Sequence, residues 1–263
     1  MTASSPISQT VLDSLWDFTD PAASAERFRS AAADGELDDA AAAVLATQAA
    51  RALGLQGRFD EGHAVLDEVA GASDPASERA SDRPSAHVLA RVALERGRLL
   101  RSAGQAEESV PFFTLAAREA AAAGAQFLAL DALHMLALSD AGHEEEWAAE
   151  GLLVLAKAAD DRTRRWGVSL HNNLAWHLHD SGRPAEALTE FEAALAAATA
   201  VGTAEQRFIG RWAVARCLRT LGRTDEARAI QQELAAERPD DEFVRAELAE
   251  LAPASGEQPT IES

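Results

Sequence analysis

The sequence predicts an all-α protein built of about five helical hairpins. Alanine, the residue with the highest helix propensity, is abundant, whereas tyrosine is absent and β-branched residues are scarce. A short phrase that begins with glycine recurs at intervals of 47, 38, 40 and 40 residues, starting at Gly57. Apolar residues at helical spacing also lie on both sides of this repeat. Together these observations favour a stack of helical repeats that is capped at each end.

Residues 1–38 are predicted to form N-terminal capping helices. Leu12, Leu15 and Trp16 share one apolar stripe at helical spacing. Asp20 followed by Pro21 is a typical helix start, because the aspartate can cap free backbone N–H groups and proline is well tolerated in the first turn.

The recurring phrase predicts the turn of a helical hairpin. Its glycine can adopt the left-handed conformation that ends one helix, and the acidic residues after it favour the first turn of the next helix. A small residue lies five positions after the glycine, where the helices must approach closely, and a bulkier residue follows one turn later. Ala198, near the end of one such second helix, is expected to be exposed. The phrases begin at Gly57, Gly104, Gly142, Gly182 and Gly222, the small residues are Gly62, Ser109, Ala187 and Ala227, and the bulkier ones are Leu66, Phe113, Phe191 and Gln231.

This pattern resembles the tetratricopeptide repeat (TPR). The first helix of each TPR hairpin carries a small residue at its middle and a large one three positions later, and Pro239 stands where a TPR closes. The third repeat is divergent, with Met135 and Trp147 where small residues belong. The spacing near forty and the phrase Asn172-Asn173-Leu174-Ala175 are similar to kinesin light chain repeats. The small residues are Ala50, Gly97, Ala175 and Ala215, followed by Leu53, Leu100, Leu178 and Leu218.

The resemblance implies a right-handed α-solenoid, and composition divides the chain around it. The TPR-like array is expected to cover residues 39–239 and to contain a flexible loop, 71–85, that is rich in proline, glycine and serine. A C-terminal capping helix is predicted over 240–252, because Val244, Leu248 and Leu251 share one helical face. The polar tail 253–263 is expected to be disordered.

Charge and cysteine content limit the partners that the sequence favours. There are 24 basic and 43 acidic residues, which give a net charge of −19 at pH 7. This excess argues against nucleic acid and membrane surfaces as partners, because both attract clustered cations. The single cysteine, Cys217, excludes internal disulfides, and the start of the chain lacks the pattern of a secretory signal. A cytoplasmic location is therefore expected, and a homo-oligomer is compatible with the sequence.

No motif in the sequence predicts catalysis, a metal site or a cofactor. His171, His177 and His179 have a spacing that does not stack two rings on one helix face, and His143 begins a zincin-like phrase that has Trp147 in place of the second histidine. Phosphate-binding loops and nucleophile elbows are missing from the sequence. Cys217 lies in a packing stripe and is expected to be a buried apolar residue rather than a nucleophile.

The resemblance to TPR proteins also implies a binding surface, because the first helix of each hairpin lines the concave groove in that family. Arginine is enriched at these positions, which predicts a locally basic groove for an acidic peptide or a free C-terminal carboxylate. We call the following ten side chains the predicted groove residues: Arg51, Arg98, Arg101, Asn172, Asn173, Trp176, His179, Trp212, Arg216 and Arg219.

Three other interpretations stay open at the level of sequence. The arginines could instead pair with carboxylates of neighbouring repeats and tie the stack together, and the tryptophans could be packing residues. The protein could be a regulatory sensor of a signalling peptide or a small molecule. A third interpretation is an enzyme that uses the solenoid cavity around Asn172, His179 and Asp180.

Overall fold

The computed structural model describes residues 7–33, 35, 37–71 and 84–252. Most of the predicted loop 71–85 and the whole predicted tail 253–263 lie outside these residues. The chain divides into two compact units, Met1–Ala158 and Ala159–Ser263, which we call unit 1 and unit 2. The described part of unit 1 contains helices α1 (Gln9–Leu15), α2 (Pro21–Ala32), α3 (Asp39–Leu55), α4 (Phe59–Gly71), α5 (Ala86–Ser102), α6 (Ala106–Ala122), α7 (Gln126–Ala137) and α8 (Glu144–Leu155). That of unit 2 contains α9 (Asp161–Arg164), α10 (Trp166–Asp180), α11 (Pro184–Val201), α12 (Ala204–Thr220), α13 (Thr224–Glu237) and α14 (Glu242–Glu250).

Ten of these helices form the five predicted hairpins. In unit 1 the pairs are α3 with α4, α5 with α6 and α7 with α8, and in unit 2 they are α10 with α11 and α12 with α13. The divergent third repeat is therefore a regular hairpin. All five turn glycines have positive φ angles, between 74° and 91°, which a residue with a Cβ adopts only at a cost. The prediction of an all-α fold of about five hairpins is confirmed.

An ion pair that the sequence pattern did not predict recurs at three of these turns. The arginine after the glycine donates two hydrogen bonds to the glutamate three residues later, as in Arg183 with Glu186 at 2.8 and 2.7 Å. Arg58 with Glu61 and Arg223 with Glu226 repeat this geometry. These hydrogen bonds lower the pKa of all three glutamates. Each pair lies across the first turn of the second helix.

The residues at the close-approach positions are small because the facing side chains leave no room. A Cβ added to Gly97 would lie 2.6 Å from the ring of Phe113, and Ala187 and Ala227 are fully buried. The prediction that Ala198 is exposed was wrong, since it is also fully buried. Its position, four residues after Ala194, continues the buried face of α11 to the last turn of this helix.

The helices outside the hairpins pack by the same rules. Asp20 accepts a hydrogen bond from the backbone N–H of Ala23 at 2.9 Å, so α2 begins at the residue that the sequence indicated. Leu12 of α1 and Phe28 of α2 are both fully buried in a core cluster of unit 1. At the other end, α14 begins after Asp241 and buries Val244 against unit 2.

Candidate functional site

Arg98 of α5 is the most completely paired of the predicted groove residues in unit 1. Its guanidinium forms ion pairs with Glu95, at 2.6 Å, and with Asp131 of α7. The side chains of these two acids are only 2% and 7% exposed. Burial alone would lower the pKa of Arg98, but the two carboxylates reverse this effect and raise it. Arg98 therefore ties the second hairpin to the third, as the alternative interpretation proposed, and its role in binding stays a prediction.

A second buried arginine, Arg91, adds positive charge to the same region. It donates hydrogen bonds to the neutral acceptors Gln9 of α1 and His87, at 3.2 and 3.1 Å. Burial lowers the pKa of Arg91 to about 10. Burial also lowers the pKa of His87 and of His134, which favours the neutral form of both histidines.

Arg51 of α3 has a different environment, formed by aromatic rings. Its guanidinium carbon lies 5.4 Å from the ring centroid of Trp16 and 5.8 Å from that of Phe18. These two rings stack on one another in parallel, with centroids 4.7 Å apart. Trp16 is held by a hydrogen bond from its indole N–H to Gln48 at 3.2 Å. Within the described residues Arg51 has no hydrogen bond and no ion pair.

Arg101, one turn further along α5, is also without a carboxylate partner among the described residues. One terminal nitrogen has a long contact of 3.5 Å to the carbonyl oxygen of Leu138, and its Nε is buried without an acceptor. The hydroxyl of Ser139, the next residue after Leu138, is likewise buried without a partner. This end of α5 therefore has unused hydrogen-bonding capacity.

In unit 2 the predicted groove residues form an aromatic cluster on α10 and α12. Trp176 and Trp212 have ring centroids 6.2 Å apart, and Phe243 of α14 lies edge-on to Trp212 at 6.1 Å. Trp176 also packs edge-on against the buried Phe191, which supports a packing role for this indole. His179 lies edge-on to Trp176 at 5.5 Å. The cluster is partly exposed, and Phe243 is 71% exposed.

Arg216 and Arg219 of α12 share one carboxylate. Glu247 of α14 accepts a hydrogen bond from Arg216 at 2.9 Å and two from Arg219 at 2.7 and 3.1 Å. Its side chain is only 4% exposed. Arg216 also lies over Trp176 and Trp212, at 5.8 and 5.5 Å from the ring centroids. These arginines fix the last described helix to the preceding hairpin.

The two asparagines of α10 are partly exposed. Asn172 makes no hydrogen bond within the described part of the chain, so its amide has free donors and acceptors. His179 is engaged, because its Nε2 lies 2.9 Å from the hydroxyl of Thr220 and its Nδ1 lies 3.3 Å from Asp180. In the enzyme interpretation His179 is the histidine of the site. Both of its ring nitrogens already have protein partners, so neither is free for a substrate in this structure.

Other candidate chemistry has no support in the geometry of the described residues. They contain no group of three or more histidine, cysteine, aspartate and glutamate side chains that could hold a metal ion. Cys217 is buried, its thiol lies 3.2 Å from the carbonyl oxygen of Pro184, and burial raises its pKa, which disfavours the thiolate. None of the described helices combines the length and the apolar character that a membrane span requires.

The carboxylates that pair with the groove arginines were not predicted from the sequence, although the positions of two of these carboxylates are unusual in it. Asp131 is the only acidic residue in the apolar helix α7, between the buried residues Leu130 and Ala132. Glu247 lies three residues after Val244 and four before Leu251, and so falls on the buried face of α14. A carboxylate on an apolar helix face needs a cation, so both positions signal a buried ion pair, although the sequence does not say which arginine completes it.

The helices and turns define a TPR-like helical-repeat fold, and comparisons with solved structures agree. BtubC (BKLC) from P. vanneervenii matches with a TM-score of 0.65 and 15% identity, over 97% of this chain and 99% of that chain. Two crystal structures of TPR-like repeats from a Podosopora anserina kinesin light chain give TM-scores of 0.56 and 0.51, with 18% and 21% identity. They cover 81% and 78% of this chain, and 99% and 94% of their own. No protein-family model and no curated protein matches the sequence. The resemblance to TPR proteins is therefore confirmed at the level of the fold.

Proposed function

We propose that this protein is a non-catalytic interaction module that binds a protein segment, with acidic peptides or a C-terminal carboxylate favoured. Helical repeats of the TPR type present the first helices of their hairpins as an extended binding surface. Fold alone does not fix function, so the proposal depends on the chemistry of this surface.

The observation that carries the proposal is the composition of the first helices. In a chain of net charge −19, α3, α5 and α12 hold five arginines at two equivalent positions of the repeat. Among the predicted groove residues, α10 and α12 add Trp176 and Trp212, which are partly exposed. Arginine favours carboxylates, and Arg51 and Arg101 hold none among the described residues, whereas the other three already bind carboxylates of the chain. The free amide of Asn172 can hydrogen-bond an extended peptide backbone. Tryptophan and arginine are also the residues that most often dominate binding energy at protein interfaces.

The test is a peptide array that compares acidic, neutral and basic segments of equal length, each with a free or an amidated C-terminus. We expect acidic segments to bind best, the free C-terminus to increase binding, and added salt to weaken it, because charge attraction is screened over about 10 Å at 0.1 M salt. Equal binding of all three classes would refute the acidic preference. If instead no peptide binds and a small molecule raises the melting temperature, the sensor interpretation would replace this one.

A further inference from the structure

The five arginines among the predicted groove residues differ in how far their charge is already neutralised. Arg98 holds two carboxylates, and Arg216 and Arg219 share a third. Within the described residues, Arg51 and Arg101 hold none. Since a guanidinium that already binds buried carboxylates has fewer donors left for a ligand, the free capacity for an acidic group lies in unit 1.

Of the two free arginines, Arg51 is the better prepared. The parallel rings of Trp16 and Phe18 support its guanidinium, and the hydrogen bond of Trp16 to Gln48 fixes this support. An arginine held in this way loses less conformational entropy when it binds a ligand. Arg101 lacks such support, and its Nε is buried without an acceptor, which leaves only its terminal nitrogens for a ligand.

The surroundings of Arg51 also favour an anion. Glu95 and Asp131 lie close enough to influence its pKa, but both are bonded to Arg98. Arg51, Arg91 and Arg98 carry three positive charges, and Glu95 and Asp131 carry two negative charges. This group of five side chains therefore has a net charge of +1. Burial and the charge of Arg98 lower the pKa of Arg51, which means that its cationic form is destabilised. A bound carboxylate would offset that cost.

We infer that Arg51 is a carboxylate-binding subsite of unit 1. Its guanidinium binds one carboxylate of an acidic peptide, and Phe18 contacts the aliphatic part of the same peptide residue. Phe18 is 61% exposed, so its ring can contact a ligand while it also contacts the guanidinium of Arg51. The inference rests on the proposed function and deepens it by naming the unit and the residue.

Binding of a fluorescein-labelled hexaglutamate peptide to the full chain, measured by fluorescence anisotropy at low salt, tests this subsite, with hexaglutamine as the uncharged control peptide. We expect Arg51→Gln to weaken hexaglutamate binding about tenfold or more, since a charge-assisted hydrogen bond is lost. The affinity of Arg51→Lys for hexaglutamate should lie between those of Arg51→Gln and wild type, because lysine keeps the positive charge but lacks the planar guanidinium that binds a carboxylate through two hydrogen bonds. Phe18→Ala should also weaken binding.

Arg118→Gln is the matched control, since Arg118 lies in the same unit with its side chain 73% exposed. It should bind hexaglutamate within twofold of wild type, and Arg51→Gln should melt within a few degrees of wild type. If Arg51→Gln binds hexaglutamate as tightly as wild type does, or if Arg51→Gln and Arg118→Gln lose the same amount of affinity, the subsite is refuted. If the double variant Arg216→Gln, Arg219→Gln loses hexaglutamate binding while Arg51→Gln keeps it, the carboxylate binds in unit 2. A wild-type protein that does not prefer hexaglutamate to hexaglutamine would refute the acidic preference itself, and the subsite with it.

Discussion

Arg51 and Arg98 in unit 1 and Arg216 in unit 2 occupy the same position of the repeat, one residue after the small residue of the first helix, yet each has a different environment. Arg51 lies against two aromatic rings, Arg98 is buried between two carboxylates, and Arg216 shares Glu247 with its neighbour on α12. The repeat position thus determines where the side chain lies. The residues that pack around it determine whether it stabilises the fold or remains available to a ligand.

The two units also differ in how their charges are balanced. In unit 1 the carboxylates that hold Arg98 come from α5 and α7, which belong to successive hairpins. In unit 2 the carboxylate comes from α14, outside the hairpins. We therefore expect substitutions in the Arg98 ion pairs of unit 1 to lower stability more than substitutions in the Glu247 ion pairs of unit 2, because the charges around Arg98 are more deeply buried.

Replacing Arg98 with alanine should have the largest effect. Glu95 and Asp131 would be left as buried carboxylates without their cation, and loss of one partner of a buried pair costs about 3 to 5 kcal/mol. Chemical denaturation measures the free energy of unfolding. Arg118→Ala, which removes an exposed arginine from the same unit, should change it little. Similar values for the two variants would contradict the structural role of Arg98.

Replacing Glu247 with alanine should have a smaller effect in unit 2. Arg216 and Arg219 would lose their shared carboxylate, but their side chains are 39% and 27% exposed and water would solvate them in part. We expect a loss of about 1 to 3 kcal/mol in the free energy of unfolding. Glu242→Ala, at an exposed position of the same helix, is the control. A loss as large as that of Arg98→Ala would show that the two units do not differ in this way.

Replacing Gln231 with leucine should stabilise the last hairpin. Gln231 is fully buried, and neither its amide nitrogen nor its carbonyl oxygen has a hydrogen-bond partner in the described structure. The equivalent residues Leu66, Phe113 and Phe191 are apolar and buried. Removing an unsatisfied buried amide should raise the free energy of unfolding by about 1 to 2 kcal/mol. Gln232→Leu, at the exposed neighbouring position, should give no such gain.

Replacing Arg223 with glutamine should have the smallest effect. Its ion pair with Glu226 recurs at three turns, but both side chains are about half exposed, at 46% and 58%. Exposed pairs contribute little to stability, so the melting temperature should change by no more than about two degrees. A larger fall would show that the recurring pair is needed to close the turn.

The sequence by itself determined the hairpins, because their signals are local. A glycine that must adopt positive φ and acids in the first turn that follows are dictated by neighbours within a few residues, and all five turns were found in this way. The small residue at the close approach is set by a facing helix, but its fixed distance from the glycine makes it readable in the sequence. The same reasoning failed for Ala198, since the length of the contact between α11 and its partner depends on packing rather than on the turn.

Only the tertiary structure decided what the arginines do. Asp131 lies 33 residues after Arg98, and Glu247 lies 31 after Arg216, so no periodic pattern links the partners. Arg51 meets Trp16 and Phe18 because the chain before α2 returns to α3. Helix formation depends on the residues within one or two turns, whereas the neutralisation of a charge depends on whichever side chains the packed helices bring within a few ångströms.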